Sequence, residues 1–335
     1  MESVMEQTTD TMSKSKQHRR WFTFEKSKVW LWSFVRFVLV TGISFIILYP
    51  IFMKISIAFK DKIDIYNSTV VWIPQNWTLE NFQLVFKVMD YPKVMTSSIL
   101  VSGAVMILQA ASCALAGYGF AKLRFWGSGV LFALVIFTIL VPPQTIMIPT
   151  YMIFKEFDLF GIISLIKGKP ISLIDTYWPF FLTAVTGAGL KTGLYVYIFR
   201  QFFRGLPREI EEAALVDGAG VFKTFTRIML PNAIPALVTV MLFSFVWQWN
   251  DTYYTSLFLN NANLISIKLQ TVGASITSYL QIAAGVTANT GQADPFYLSM
   301  LINTCMLLTI APLIILYLFV QRHFVESVER TGLVG

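Results

Sequence analysis

Histidine and cysteine each occur only twice in this 335-residue chain, and charged residues make up 13% of it, about half the fraction usual in a soluble domain. Each scarcity excludes something. Cys113 and Cys305 both fall inside apolar runs, which argues against a disulfide framework or a zinc site and makes them small core residues. His18 and His323 lie in basic terminal regions, so the sequence offers no Ser-His-Asp, Cys-His or metal-ligating constellation, and neither a metal site nor an enzymatic role is expected. A GxxxxGK[ST] phosphate loop is missing as well. Gly168-Lys169-Pro170 lacks both the spacing and the Ser or Thr, so this chain is not expected to bind ATP by that means. No internal repeat is visible, and no low-complexity linker sets off a second domain.

What the chain has in abundance is apolar surface. Hydrophobic residues reach 55% and mean hydropathy is +0.62, the composition of an integral membrane protein. The net charge of +7 is concentrated near the start, in Lys14, Lys16, Arg19, Arg20, Lys26 and Lys28, so it reads as membrane sidedness rather than nucleic-acid binding. The apolar run after about Ser33 is too long for a cleaved signal peptide and is expected to be a retained span. A helix crossing a roughly 30 Å core needs about 20 mostly apolar residues. Six stretches qualify: 33–59, 94–119, 128–153, 178–203, 232–257 and 296–320. The fourth is the least uniform, being interrupted by Thr, Gly and Lys. The predicted fold is therefore an all-α protein of six transmembrane helices, with a basic segment 1–32, a membrane domain 33–320 and a tail 321–335.

With six spans both termini share one side of the membrane, and lysine and arginine decide which. Fifteen fall on the side of the termini, including Lys122, Arg124, Arg200, Arg204, Arg208, Lys223, Arg227, Arg322 and Arg330. Eight fall on the other: Lys60, Lys62, Lys87, Lys93, Lys155, Lys167, Lys169 and Lys268. Both termini are thus expected in the cytoplasm, and the longer loops 61–93, 154–177 and 258–295 outside. Trp72, Trp77 and Trp178 sit where an interfacial aromatic belt would put them.

One cytoplasmic stretch is charged and punctuated by glycine. Pro207 suits the first turn of a helix, and Glu209, Glu211 and Glu212 suit its positive end. That helix should end near Val216, where Asp217-Gly218-Ala219-Gly220 makes a turn. A second helix follows, with Val221, Phe222, Phe225, Ile228 and Met229 on one face, until Pro231 restarts the chain into span five. The segment 205–231 is thus a helix-turn-helix between spans four and five. It is either an amphipathic loop on lipid headgroups or a docking element for a cytoplasmic partner.

The spacing Glu212-Ala213-Ala214, three residues, Gly218, nine residues, Ile228, one residue, Leu230-Pro231 resembles the EAA motif of membrane subunits of ABC importers. Around it RQFFRGLPREIEEAALVDGAG, FSFVWQWND, WTLENF at 77–82, YGFAKLRF at 118–125 and LVPPQTIMIPTY at 140–151 are similar to the carbohydrate-uptake branch, specifically the smaller permease of maltose-type transporters. The similarity covers nearly all of 33–335. It implies a non-catalytic permease of the bacterial-type plasma membrane that imports a sugar, with an oligosaccharide as the expected class. Its implied partners are a second permease, two ATPase subunits that carry the ATP and magnesium, and an extracytoplasmic sugar-binding protein. Residues 207–220 would contain the coupling helix, with Glu212 as charged contact and Gly218 as turn. Glu211, Ala213, Ala214, Asp217, Phe222, Leu230 and Pro231 would complete the element. By the same resemblance, loop 258–295 would reach the binding protein or merely cover the surface. The tail FVESVERTGLVG would reach the ATPase interface, although it lacks a penultimate lysine.

Three features inside the membrane have two readings each. Lys191 lies nine residues outward of Arg200, about 13 Å along a helix and near mid-membrane, where insertion costs about 2.5–3.5 kcal/mol. It would either line the sugar path or cap carbonyls loosened by Gly187, Gly189 and Gly193. Trp247-Gln248-Trp249-Asn250-Asp251 begins about 24 Å along span five from Pro231, placing it near the outer mouth as substrate contacts or as aromatic belt. Pro142-Pro143 disturb span three, as a packing kink or a gate hinge. Small residues Ser98, Ser102, Ser112, Ala110, Ala114 and Ala116 in span two suit close helix contact, within the chain or with a second permease. The rival to an ATP-driven importer is an ion-gradient carrier, which would place carboxylates at mid-depth and show inverted repeats. A membrane scaffold without transport is a third reading.

Overall fold

The computed structural model describes residues 2–260, 262–283 and 294–332, with side chains between 28 and 322 of these except at 215. Among them there is no strand, only one antiparallel bridge between Phe157 and Ile171. The chain divides into two units, 1–76 and 77–335.

The first unit is helix α1 (Glu2–Ala58) followed by the short α2 (Lys62–Ile65). From Lys28 to Ala58 the helix is long and apolar enough to span a membrane, and residues 28–50 are all exposed, as a lipid-facing or subunit-facing helix requires. The turn after it is locked by Asp64. Its carboxylate accepts from the Gln75 amide at 2.9 Å, the Asn76 amide at 2.8 Å and Asn76 Nδ2 at 2.8 Å. These donors, the Asn76 amide foremost, hold the Asp64 carboxyl below its usual pKa.

The second unit is built around one long helix. It comprises α3 (Glu80–Met89), α4 (Tyr91–Lys122), α5 (Ser128–Leu140), α6 (Pro143–Lys155), α7 (Ile162–Lys167), α8 (Trp178–Val185) and α9 (Thr192–Gly205). These are followed by α10 (Arg208–Val216), α11 (Val221–Thr224), a π turn (Phe225–Met229), α12 (Leu230–Asn232), α13 (Ile234–Trp249), α14 (Tyr253–Phe258), α15 (Ile265–Ala283) and α16 (Pro295–Gly332). Helix α4 lies against α8, α9 and α13, and α13 packs on α16. The approach of α4 to α9 depends on Gly117, where an added Cβ would stand 2.5 Å from Phe199 Cβ. Ser98, Ser102, Ala110 and Ala114 are buried inside this chain, so the small-residue face of span two serves internal packing. Cys113 and Cys305 are core residues in two different apolar clusters.

Three expected spans are continuous helices: the first, the second and the sixth, the last two as α4 and α16. The third and fifth are bent. Helices α5 and α6 meet at 105° across Val141-Pro142, and the run 221–232 meets α13 at 81°. The third therefore departs further from a straight helix than a packing kink, because Pro142 takes an extended conformation and Pro143 starts α6. The expected fourth span is divided into α8 and α9 by residues 186–191, where Gly187 and Lys191 have positive φ. Counting each bent pair once gives up to five candidate spans among the described residues. The expected outer loop 258–295 is largely the helix α15, whose Ile265, Val272 and Ile276 belong to the core, which is more than a surface cover. Its residues 284–293 lie outside the described ones, as do the side chains of the basic segment up to 27 and of the tail from 323.

Candidate functional site

Segment 205–231 forms where its caps dictate. Lys122 Nζ donates to Leu206 O at 2.9 Å just beyond the end of α9. Helix α10 then starts after Pro207 with Glu209 and Glu211 in its first turn. It stops where Gly218, at φ +75°, lets the Ala219 amide return to Ala214 O at 2.9 Å, a Schellman closure. Adjacent glutamates on α10 have different tasks. Glu211 faces the protein: Tyr118 donates its hydroxyl to Oε1 at 3.0 Å, and Lys122 Nζ lies 4.0 Å from Oε2. Glu212 and Ala213 face solvent, whereas Ala214 is buried. Beyond the turn, Phe225 and Met229 enter the core beside Tyr118 and Phe203, and Leu230 packs at its edge. Val216, Val221 and Phe222 stay outside, at 87%, 48% and 71% exposure. Asp217 and Pro231 are exposed too. The element is thus fixed on its inner side and offers the carboxylates of Glu209, Glu212 and Asp217 with large apolar groups outward. Sequence reasoning missed the anchors Tyr118 and Lys122, which belong to the end of α4 rather than to the segment itself.

A second constellation surrounds the break between α8 and α9. Gln109 of α4, 1% exposed, donates through Nε2 to Leu190 O at 2.7 Å and to Thr192 Oγ1 at 2.9 Å. Its Oε1 accepts from Ser244 Oγ at 2.7 Å, so one amide ties the break to α4 and α13. The capping role weighed for Lys191 belongs to Gln109. The clue was available, since Gln109 is the only amide or charged side chain in 94–119.

Two cavities, of about 350 and 430 Å³, adjoin the break and share Ala188, Gly189, Leu190, Ile146 and Tyr254 as walls. The larger is bounded by Val141 and Pro143 of the bent third span and by Lys191 and Trp247. Lys191 Nζ stands over the Trp247 ring at 4.6 Å from its centroid, which brings together two residues 56 positions apart. Gln248, 6% exposed, lines the smaller cavity, and its Nε2 has no hydrogen-bond partner.

The rest of the Trp247–Asp251 group points elsewhere. Trp249 is buried, stacked on Phe245 in the cluster with Val85 and Met89, which is core rather than aromatic belt. Asn250 donates to Val246 O at 2.9 Å. Asp251 accepts from the Thr255 amide and hydroxyl at 2.8 and 2.9 Å and from the Tyr254 amide at 3.3 Å, capping α14. Its carboxylate is thereby committed to the fold, which removes the one acidic group of span five that an ion-gradient carrier would have used. No cluster of metal-ligating side chains occurs among the described residues.

Residues 113–330 match the family described as binding-protein-dependent transport system inner membrane component. The chain is 27% identical over 302 residues to the maltodextrin transport system permease protein MdxG of Bacillus subtilis, covering 89% of this chain and 95% of that one. It is 25% identical over 296 residues to the arabinooligosaccharides transport system permease protein AraQ of Halalkalibacterium halodurans, covering 88% and 93%. A crystal structure of a bacterial ABC transporter that imports the acidic polysaccharide alginate superposes with a TM-score of 0.66 at 20% identity, over 88% of this chain and 96% of that one, so the two share a fold. From residue 113 onward, the two bent spans, the anchored helix-turn-helix and the cavities thus belong to a chain of known type: it is a member of the family of inner membrane components of binding-protein-dependent transport systems.

Proposed function

We propose that the chain is the six-span permease subunit of an ATP-driven sugar importer, with oligosaccharides as substrate, and that segment 205–231 couples it to a separate ATPase. The names of MdxG and AraQ support the sugar class. The observation that carries the coupling role is the division of labour on α10: Glu211 is held inward by Tyr118 and Lys122 while Glu212 is free to meet a partner. A short helix gripped on one side moves as a body, so a push on Glu212, Val216 and Phe222 reaches α4 and α9. A loop merely resting on headgroups would need no such grip.

In this reading both termini and 205–231 are cytoplasmic. A second permease completes the path, two ATPase subunits bind ATP and magnesium, and an extracytoplasmic binding protein delivers the sugar. Docking outside and ATP closure inside bias the pair between two access states. The bend at Pro142-Pro143 lies in the wall of the larger cavity, where a hinge would control access.

The test is purification of the tagged chain from its native membrane under gentle conditions, with co-purifying subunits identified by mass spectrometry. The wild type should bring down an ATPase and a second permease in stoichiometric amounts. Glu212→Lys should insert normally and lose the ATPase. Recovery of the chain alone, moving solute in vesicles without ATP, would overturn the proposal.

A further inference from the structure

Lys191 lines the larger cavity, and no carboxylate is among that cavity's walls. Among the described residues its single partner is the face of Trp247 at 4.6 Å. Its backbone adds to the local sign: Lys191 is the N-cap of α9, so the positive end of a 14-residue helix borders the same cavity. In the adjoining cavity the buried Gln248 Nε2 is a donor awaiting an acceptor. The one charged side chain and the helix end that border the larger cavity are thus both positive.

Sugars stack on indole, and Trp247, which lines that space, is exposed. A sugar ring on the indole face has to take the place the ammonium occupies. A neutral ring offers the displaced ammonium only hydroxyl and ether oxygens, weaker acceptors than a carboxylate. A ring bearing a carboxylate supplies the replacement itself, a charge-assisted hydrogen bond that is stronger than the cation–π contact it displaces.

We infer that the translocation cavity of this permease selects acidic sugars, uronate oligosaccharides, by exchanging the Lys191–Trp247 contact for stacking on Trp247 and pairing of the sugar carboxylate with Lys191. This rests on the importer reading above and adds the charge of its cargo.

The experiment uses the assembled transporter reconstituted with its ATPase, second permease and binding protein. Its probes are trigalacturonate and the fully methyl-esterified trigalacturonate, which share one sugar backbone and differ in whether each carboxyl is charged or capped as a neutral methyl ester. Binding to the binding-protein-free complex is followed by tryptophan fluorescence, and ATP-driven uptake of both probes and of neutral maltotriose is measured in parallel. The acid should bind at least about tenfold more tightly than the ester, as expected for one charge-assisted bond. Lys191→Met should erase that difference by weakening the acid alone, and Lys191→Arg should keep most of it. Equal binding of acid and ester by the wild type overturns the inference. So does a Lys191→Met variant that loses both probes equally, the result expected if Lys191 pairs with a carboxylate of the second permease. ATP-driven uptake of maltotriose with none of the acid would overturn the inference while keeping the importer. Absence of ATP-driven uptake of all three would count against the importer itself.

Discussion

At the scale of single residues, buried polar side chains tie helices of the apolar interior to one another. Gln109 shows it best, because one side chain satisfies a carbonyl freed by the break, a hydroxyl of α9 and a hydroxyl of α13. Interhelical hydrogen bonds in membranes average about 0.6 kcal/mol each, so the three together contribute about 2 kcal/mol. Gln109→Leu, similar in size, should lower the detergent-solubilised protein's stability by about that much. Adding Ser244→Ala to it should cost little more, since the two share one bond. Denaturation followed by tryptophan fluorescence reads both; a Gln109→Leu protein as stable as the parent would show that the break holds without the tie. Gln109 went unread in the sequence although it is the one amide in 94–119, because its partners come from positions 81 to 135 residues away. Asp251 was legible in a different way. Asp-Thr-Tyr-Tyr-Thr is a helix start in which the acid just before the N-cap, Thr252, accepts from first-turn amides, a local pattern that commits the carboxylate to the fold.

Elements were legible where their punctuation is local. Pro207, the glutamates and Gly218 delimit α10 in sequence as they do in space, and the turn residue can be tested directly. A non-glycine residue in the left-handed region costs about 1–2 kcal/mol, more when β-branched. Gly218→Val should therefore unseat the turn while the protein still inserts. Its signature is ATP hydrolysis without proportionate solute movement, so the measured quantity is solute imported per ATP hydrolysed in proteoliposomes. An unchanged ratio at normal expression would show that the geometry of this turn does not matter for coupling. The bends were only half legible. Proline announces a disturbance at 142–143, but the 105° angle depends on what packs against α6, which no local pattern records. The division of span four had its clue in Gly187, Gly189 and Lys191, residues that also fit a continuous helix lining a cavity.

For the whole molecule the open quantity is how often the chain crosses the bilayer, because three continuous apolar helices admit several answers. Lysine and arginine counting puts the 122–127 turn and segment 205–231 inside and loop 154–177 outside. That arrangement requires the bent pair α5–α6 to cross despite its 105° angle, and the divided pair α8–α9 to cross back. A re-entrant α5–α6 would instead leave residues 126 and 165 on one side. Three exposed positions decide between these: Trp126 at 99%, Leu165 at 87% and Phe222 at 71% exposure. The two native cysteines are fully buried, so background reaction with a membrane-impermeant maleimide will be low. In intact cells with the outer face accessible, Leu165→Cys should label at once, whereas Trp126→Cys and Phe222→Cys should label only after permeabilisation. Labelling of both Leu165→Cys and Trp126→Cys from outside would make α5–α6 re-entrant. Labelling of Phe222→Cys from outside would move the coupling segment away from any cytoplasmic ATPase. The same three residues thus test the span count and the energy source together, because a segment can transmit ATP closure only from the side on which ATP is hydrolysed.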